Sequence, residues 1–152
     1  MERLISLDNP VFSGFAIHAA VLVLKCMLMA PLTLRHRMAT GTFANPEDVK
    51  HAQIIMPKAK VSFDDLNVER VRRAHLNDLE NIPVFLVVAL LYVLTGPNTF
   101  IALNLFRVFT LARLVHTIFY AVVPQSKARG MAFIVGLLVT FYMSVQVILY
   151  YS

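Results

Sequence analysis

Residues 74–123 read AHLNDLENIPVFLVVALLYVL, then TGPN, then TFIALNLFRVFTLARLVHTIFYAVV. Two long apolar runs flank a four-residue link of turn formers. A spanning helix needs about 20 mostly apolar residues, because the hydrocarbon core is about 30 Å thick. Both runs meet that length. Lipid offers no partner for free backbone N–H and C=O groups, so such runs fold as helices unless they alternate as barrel strands, and neither alternates. Thr95-Gly96-Pro97-Asn98 is too short for anything but a reversal, which predicts that the helices over about 74–94 and 100–123 are antiparallel neighbours.

Working outward, two further runs qualify, at about 11–34 and 128–150. The predicted fold is therefore all-α: one domain over 1–152, an integral membrane four-helix bundle with a polar connection at about 35–73. Composition agrees. The chain is 58% hydrophobic and 15% charged, against about 45–50% and 25% in soluble domains. A net charge of +5 would suggest nucleic acid in a soluble protein. Here the basic residues crowd one stretch between apolar segments, which reads as membrane topology and not as a nucleic-acid partner. Arg35, Arg37, Lys50, Lys58, Lys60, Arg70, Arg72 and Arg73 lie in or beside the first connection, and Lys127 and Arg129 in the third. The second has none, and the termini have only Arg3. The positive-inside rule puts the first and third connections in the cytosol and both termini across the membrane. The segment Met1–Pro10 lacks the basic start of a signal peptide. The single cysteine, Cys26, sits in an apolar run and reads as a packed thiol.

Charged groups inside spans cost roughly 2.5–3.5 kcal/mol each, so each needs a reason. The second helix opens NVERVRRAHLNDLENIP over 67–83. At about 100° per residue, Arg70, Arg73, Asn77, Glu80 and Asn81 share an arc of roughly 100°, with Arg72, His75 and Asp78 on other sides. A solvated first turn with a Glu69–Arg73 pair accounts for the arginines. It does not account for Glu80 and Asn81, two to three turns deeper, which point to a buried polar site. Arg113, His116, Thr117 and Tyr120 share a face of the third helix. Lys25 in the first helix calls for a carboxylate or a polar cavity. Arg129 starts the last helix, where both its charge and the helix N-terminus favour an anion. Ala128, Ala132, Gly136, Thr140 and Ser144 form a small-residue stripe, read as a packing seam. These groups make an electropositive site at the cytosolic boundary, suited to a flexible anionic molecule with an amine. The five histidines lack metal-ligand spacing, so no metal is expected.

FANPED at 43–48, VERVRRAHLNDLEN at 68–81, ARLVHT at 112–117 and the link from Pro124 to Arg129 resemble the microsomal glutathione transferase branch of the membrane-associated eicosanoid and glutathione metabolism family. The resemblance covers nearly the whole chain. It implies a homotrimer in the endoplasmic reticulum membrane, with the mitochondrial outer membrane as a second location. Glutathione is implied as co-substrate, bound between subunits on the cytosolic side. Carried over residue by residue, Arg37, Arg72, Arg73, His75, Glu80 and Tyr120 fall at glutathione-contacting positions, with Asn77 and Arg113 as further contributors. Arg129 matches the catalytic arginine that holds the sulfur as thiolate. The implied activity is conjugation of glutathione to hydrophobic electrophiles, with reduction of lipid hydroperoxides as a second outlet. Two other family activities stay open: glutathione-dependent prostaglandin E synthesis and a non-catalytic lipid-binding scaffold. Leu76 stands where the prostaglandin branch carries a second arginine, which weighs against the first. The retained polar constellation weighs against the second. Some relatives carry a modifiable cysteine just after the FANPED segment. This chain has Val49, so activation by thiol modification there is not expected.

Overall fold

The computed structural model describes residues 4–152. Arg3, which entered the reading of terminal charge, lies outside the described residues. The elements in chain order are α1 (Pro10–Thr40), β1 (Thr42–Phe43), α2 (Pro46–Ala52), β2 (Lys60–Val61), α3 (Leu66–Leu94), α4 (Thr99–Thr117), a π-helical turn (Ile118–Val122) and α5 (Ser126–Tyr151). Four of the helices are long and apolar enough to cross a bilayer. A fifth, short helix and a two-residue parallel bridge between β1 and β2 occupy the first connection, so the chain is mostly and not wholly helical.

The helix ends follow from local chemistry. Asn9 caps α1 by accepting from the Val11 N–H at 2.9 Å, and Pro10 opens the helix where no N–H is needed. Gly41 ends it in the left-handed region at φ 65°, its N–H donating to the Arg37 carbonyl. Asp65 caps α3 through the Asn67 and Val68 N–H groups. Both α1 and α3 therefore run beyond their apolar cores. The 31 residues of α1 reach about 46 Å, well past a hydrocarbon core of about 30 Å. Helix α3 is continuous through Pro83.

The four long helices stand at the corners of a square, each packed on its two neighbours: α1 on α3 and α4, α5 on α3 and α4. Helices α3 and α4 are antiparallel, as their tight link requires. They face each other across the diagonal, though, and meet mainly through long side chains. The Phe85 and Phe109 rings stack across that diagonal with centroids 3.6 Å apart. Phe106 meets Phe85 edge-on at 87°. The small residues explain the arrangement: Ala132 and Gly136 of α5 are buried and let α4 approach closely, with Phe109 against Gly136. That portion of the stripe is a seam within the chain. Leu22, Ile82, Ala89, Val93, Ala102 and Met143 complete the core. The outer faces carry exposed Leu24, Leu28, Val87, Leu111 and Leu138, apolar in the manner of lipid-facing surface.

The first connection packs its own small cluster of Phe43, Val49 and Ala59. The bridge pairs Thr42 with Lys60, and the Lys60 N–H donates to the Gly41 carbonyl at 2.9 Å. Val49 is thus a buried packing residue.

Candidate active site

The site is built around one carboxylate. Asp78 belongs to the buried stripe of α3, Val71, Ala74, Asp78, Ile82, Phe85 and Ala89, whose spacing of three and four defines the core-facing side. Its side chain has no exposed surface. One oxygen accepts from the Lys25 ammonium on α1. The other accepts from Arg113 Nη2 on α4 at 2.8 Å. A buried carboxylate is tolerable only with such partners. The expectation that Lys25 meets a carboxylate is met here.

Arg113 then links Asp78 to the end of the bundle that carries Tyr120 and Arg129. Its Nη2 also donates to Asn77 Oδ1 at 2.7 Å and lies 3.5 Å from His116 Nδ1. His116 is buried and its ring sits 5.4 Å from that of Tyr120. Tyr120 in turn lies beneath the Arg129 guanidinium, 4.2 Å from ring centroid to Cζ, which is cation–π range. The result is a continuous track, Lys25, Asp78, Arg113, His116, Tyr120, Arg129, from the middle of α1 to the first turns of α5.

Tyr120 takes its place because the helix changes pitch beneath it. After Thr117 the backbone widens to π geometry over Ile118–Val122, a form that recurs at functional sites. Two polar atoms beside this turn are buried with no hydrogen-bond partner among the described residues: Arg113 Nε and Thr117 Oγ1. Orphaned donors of this kind are rare in folded proteins and call for an explanation.

The residues singled out from sequence divide into two groups. The fold gathers Asn77, Arg113, Tyr120 and Arg129, and adds His116. It does not bring Arg72, Arg73 and Glu80 to the same place within one chain. These are exposed on α3, on the side away from the core stripe. The physical reason is helical phase: Arg72, Leu76, Leu79, Glu80 and Pro83 lie off the 71-74-78-82 stripe that packs inward. Arg72 pairs with Glu69 at 3.0 Å, a spacing of three. The expected Glu69–Arg73 ion pair is replaced by an Arg73 bond to the Glu69 carbonyl at 3.2 Å. His75 is half-buried beside this face. Arg37, near the end of α1, reaches the Thr42 carbonyl at 3.4 Å. Asp78 and His116 carry more of the site than the sequence reading gave them.

An apolar groove of about 420 Å³ runs along the outside of α4 and α5, lined by Val108, Leu111, Val115, Ala128, Met131 and Val135. It begins one residue from Arg129.

Residues 15–149 match the family model described as MAPEG. The chain belongs to the MAPEG family. Mouse (Mus musculus) microsomal glutathione S-transferase 1 is 43% identical over 142 residues, which cover 93% of this chain and 92% of that protein. The human (Homo sapiens) protein of the same name is 43% identical over 143 residues, covering 93% and 92%. Bovine (Bos taurus) prostaglandin E synthase is 34% identical over 143 residues, covering 93% and 90%. The family expected from the motif at 68–81 is therefore the one found. Within the MAPEG family, the chain is more similar to these transferases than to that synthase.

Proposed function

We propose that this MAPEG protein is a glutathione transferase that conjugates the glutathione thiolate to hydrophobic electrophiles at the cytosolic edge of the endoplasmic reticulum membrane. The names of its relatives at 42–43% identity support the activity. The observation that carries the reading is the Arg129 guanidinium held over Tyr120, at the open end of a buried cationic track.

The track fits the chemistry of glutathione, which has two carboxylates, one ammonium and a thiol. Arg113 offers a buried unpaired Nε, and guanidinium donors suit carboxylates. Arg72, Arg73 and Arg37 supply further cations, and Glu80 suits the ammonium. A free thiol titrates near 8.5 and is mostly protonated at neutral pH. A guanidinium beside the sulfur favours the anion, which is the nucleophile. In the reaction the sulfur anion forms a bond to the electrophilic carbon. A leaving group departs with its electron pair, or an adjacent carbon takes up a proton. The groove along α4 and α5 gives an apolar electrophile a route from lipid to Arg129.

The exposed polar groups of α3 support assembly as a homotrimer. A face carrying Arg73 and Glu80 next to Leu79, Val84 and Val87 is costly against lipid. A second copy covering it would bring those cations and Glu80 to a site shared between subunits.

Purified protein in detergent is expected to conjugate a chloronitrobenzene. Arg129→Ala should lower thiolate absorbance and turnover far more than it lowers glutathione affinity. Unchanged turnover refutes the role given to Arg129. Prostaglandin E synthesis is a second reading, favoured by relatives at 34–36% identity. Assaying an endoperoxide beside the chloronitrobenzene separates the two.

A further inference from the structure

The carboxylate at the centre of the bundle serves two cations from two different helices. Lys25 on α1 takes Asp78 Oδ2, and Arg113 on α4 takes Asp78 Oδ1. The side chains of Lys25, Asp78 and Arg113 are 8%, 0% and 1% exposed, so bulk water compensates none of them. Two cations and one anion leave the group with a formal surplus of one positive charge. Arg113 carries the donor that these contacts leave unused. Its Nη2 is shared between Asp78, Asn77 and His116, while its buried Nε has no partner among the described residues.

Lys25 decides whether those remaining Arg113 donors stay free. A carboxylate and a guanidinium left alone in a dry interior prefer two parallel hydrogen bonds. With Lys25 on Oδ2, that oxygen is already satisfied, and Arg113 meets the carboxylate through Oδ1 alone. Remove the ammonium and Oδ2 becomes a buried unpaired acceptor. The nearest remedy is for Arg113 to turn a second N–H onto it. A donor that now has no partner would be withdrawn, and the surplus charge would vanish.

We infer that Lys25 is a positioning residue for glutathione: by occupying one oxygen of Asp78, it leaves Arg113 free to bind a glutathione carboxylate. This rests on the transferase reading above and on Arg113 as a glutathione ligand. Lys25 touches neither glutathione nor the reacting sulfur; it acts through Asp78 and Arg113 from a different helix.

The test is a charge cycle in the full-length, detergent-purified protein, read by glutathione calorimetry and by the split between KM and kcat. Lys25→Met removes the ammonium at similar volume. It is expected to raise the glutathione Kd and KM about ten- to hundredfold, the range of a lost charge-assisted hydrogen bond, with kcat at saturating glutathione within about threefold, since a term in ground-state binding leaves kcat alone. Lys25→Met combined with Asp78→Asn restores the surplus charge and removes the carboxylate that would capture Arg113. This double variant is expected to be less stable than wild type, because Arg113 loses its anion. Where folded, it is expected to bind glutathione within about threefold of wild type, because the amide leaves Arg113 an acceptor without holding it as an ion pair. A merely structural role for Lys25 predicts no such recovery. If Lys25→Met does not fold, the double variant, which buries no unpaired carboxylate, carries the test. Failure of the double variant to bind glutathione overturns the inference. Equal affinity of Lys25→Met and wild type overturns it as well, while leaving the transferase reading standing. Wild-type protein that does not bind glutathione overturns both.

Discussion

Replacing Tyr120 by Leu separates the ring beneath Arg129 from everything else in the site. The guanidinium lies 4.2 Å from the ring centroid, and both residues are half-buried. Cation–π pairs contribute about 0.5–1 kcal/mol when exposed and about 2 or more when desolvated. A half-buried pair falls between, at about 1–1.5 kcal/mol. Once released, Arg129 also regains rotamer freedom, up to about 2 kcal/mol for a long cationic side chain, which must be lost again to meet the sulfur. Only part of that applies, because Arg129 also sits on the ordered first turns of α5. Taking about 1–1.5 kcal/mol as the cost of re-placing the guanidinium gives a fall in turnover of about five- to twelvefold. Tyr120→Phe keeps the ring and loses only the hydroxyl, so its kcat should stay within about threefold of wild type, with any larger effect in KM for glutathione. The assay is chloronitrobenzene conjugation at saturating glutathione, with thiolate absorbance measured on the same samples. Equal kcat for the Leu and Phe variants would show that the ring does not hold Arg129 in its working place.

Two further outcomes concern the bundle itself. Asp78→Ala leaves Lys25 and Arg113 buried without their shared anion, and breaking a buried ion pair from one side costs about 3–5 kcal/mol; thermal unfolding in detergent should show a large loss of stability, and an unchanged midpoint would contradict the burial of this group. Gly136 has room for a methyl, since an added Cβ would stand 3.5 Å from the Phe109 ring and 3.8 Å from Arg113 Cδ. Gly136→Ala should be nearly neutral, whereas Gly136→Leu should overpack α4 against α5 by about 1–3 kcal/mol, measured by the same unfolding experiment.

The spans were legible because lipid is a stringent solvent. Each apolar run had to be a helix, and the Thr95–Asn98 link had to reverse the chain. Which helices would be neighbours was not legible in the same way. Short links suggest adjacency, yet α3 and α4 ended on a diagonal, because Ala132 and Gly136 drew α4 onto α5 and the Lys25–Asp78 pair drew α1 onto α3. Those preferences belong to pairs of residues distant in sequence, so no single segment displays them. The short α2 and the β1–β2 bridge were hidden for a related reason. Their apolar residues, Phe43, Val49 and Ala59, are too widely spaced for a periodic signal.

The polar site shows a sharper division. Helical phase alone separates Asp78 from Glu80 by about 200°, so the two acids of α3 cannot serve one pocket in one chain. A reading that ranks them by depth in the membrane selects Glu80 as the prominent acid, since it lies deeper in the span. A reading that asks which acid shares the phase of Val71, Ala74, Ile82 and Phe85 selects Asp78, and the fold follows the second. Glu80 keeps its puzzle: a carboxylate exposed on a spanning helix beside Leu79 and Val84 has no reason to remain there against hydrocarbon. The two acids therefore divide the work. Asp78 joins α1, α3 and α4 of one chain through Lys25 and Arg113, and Glu80 points outward, away from that core.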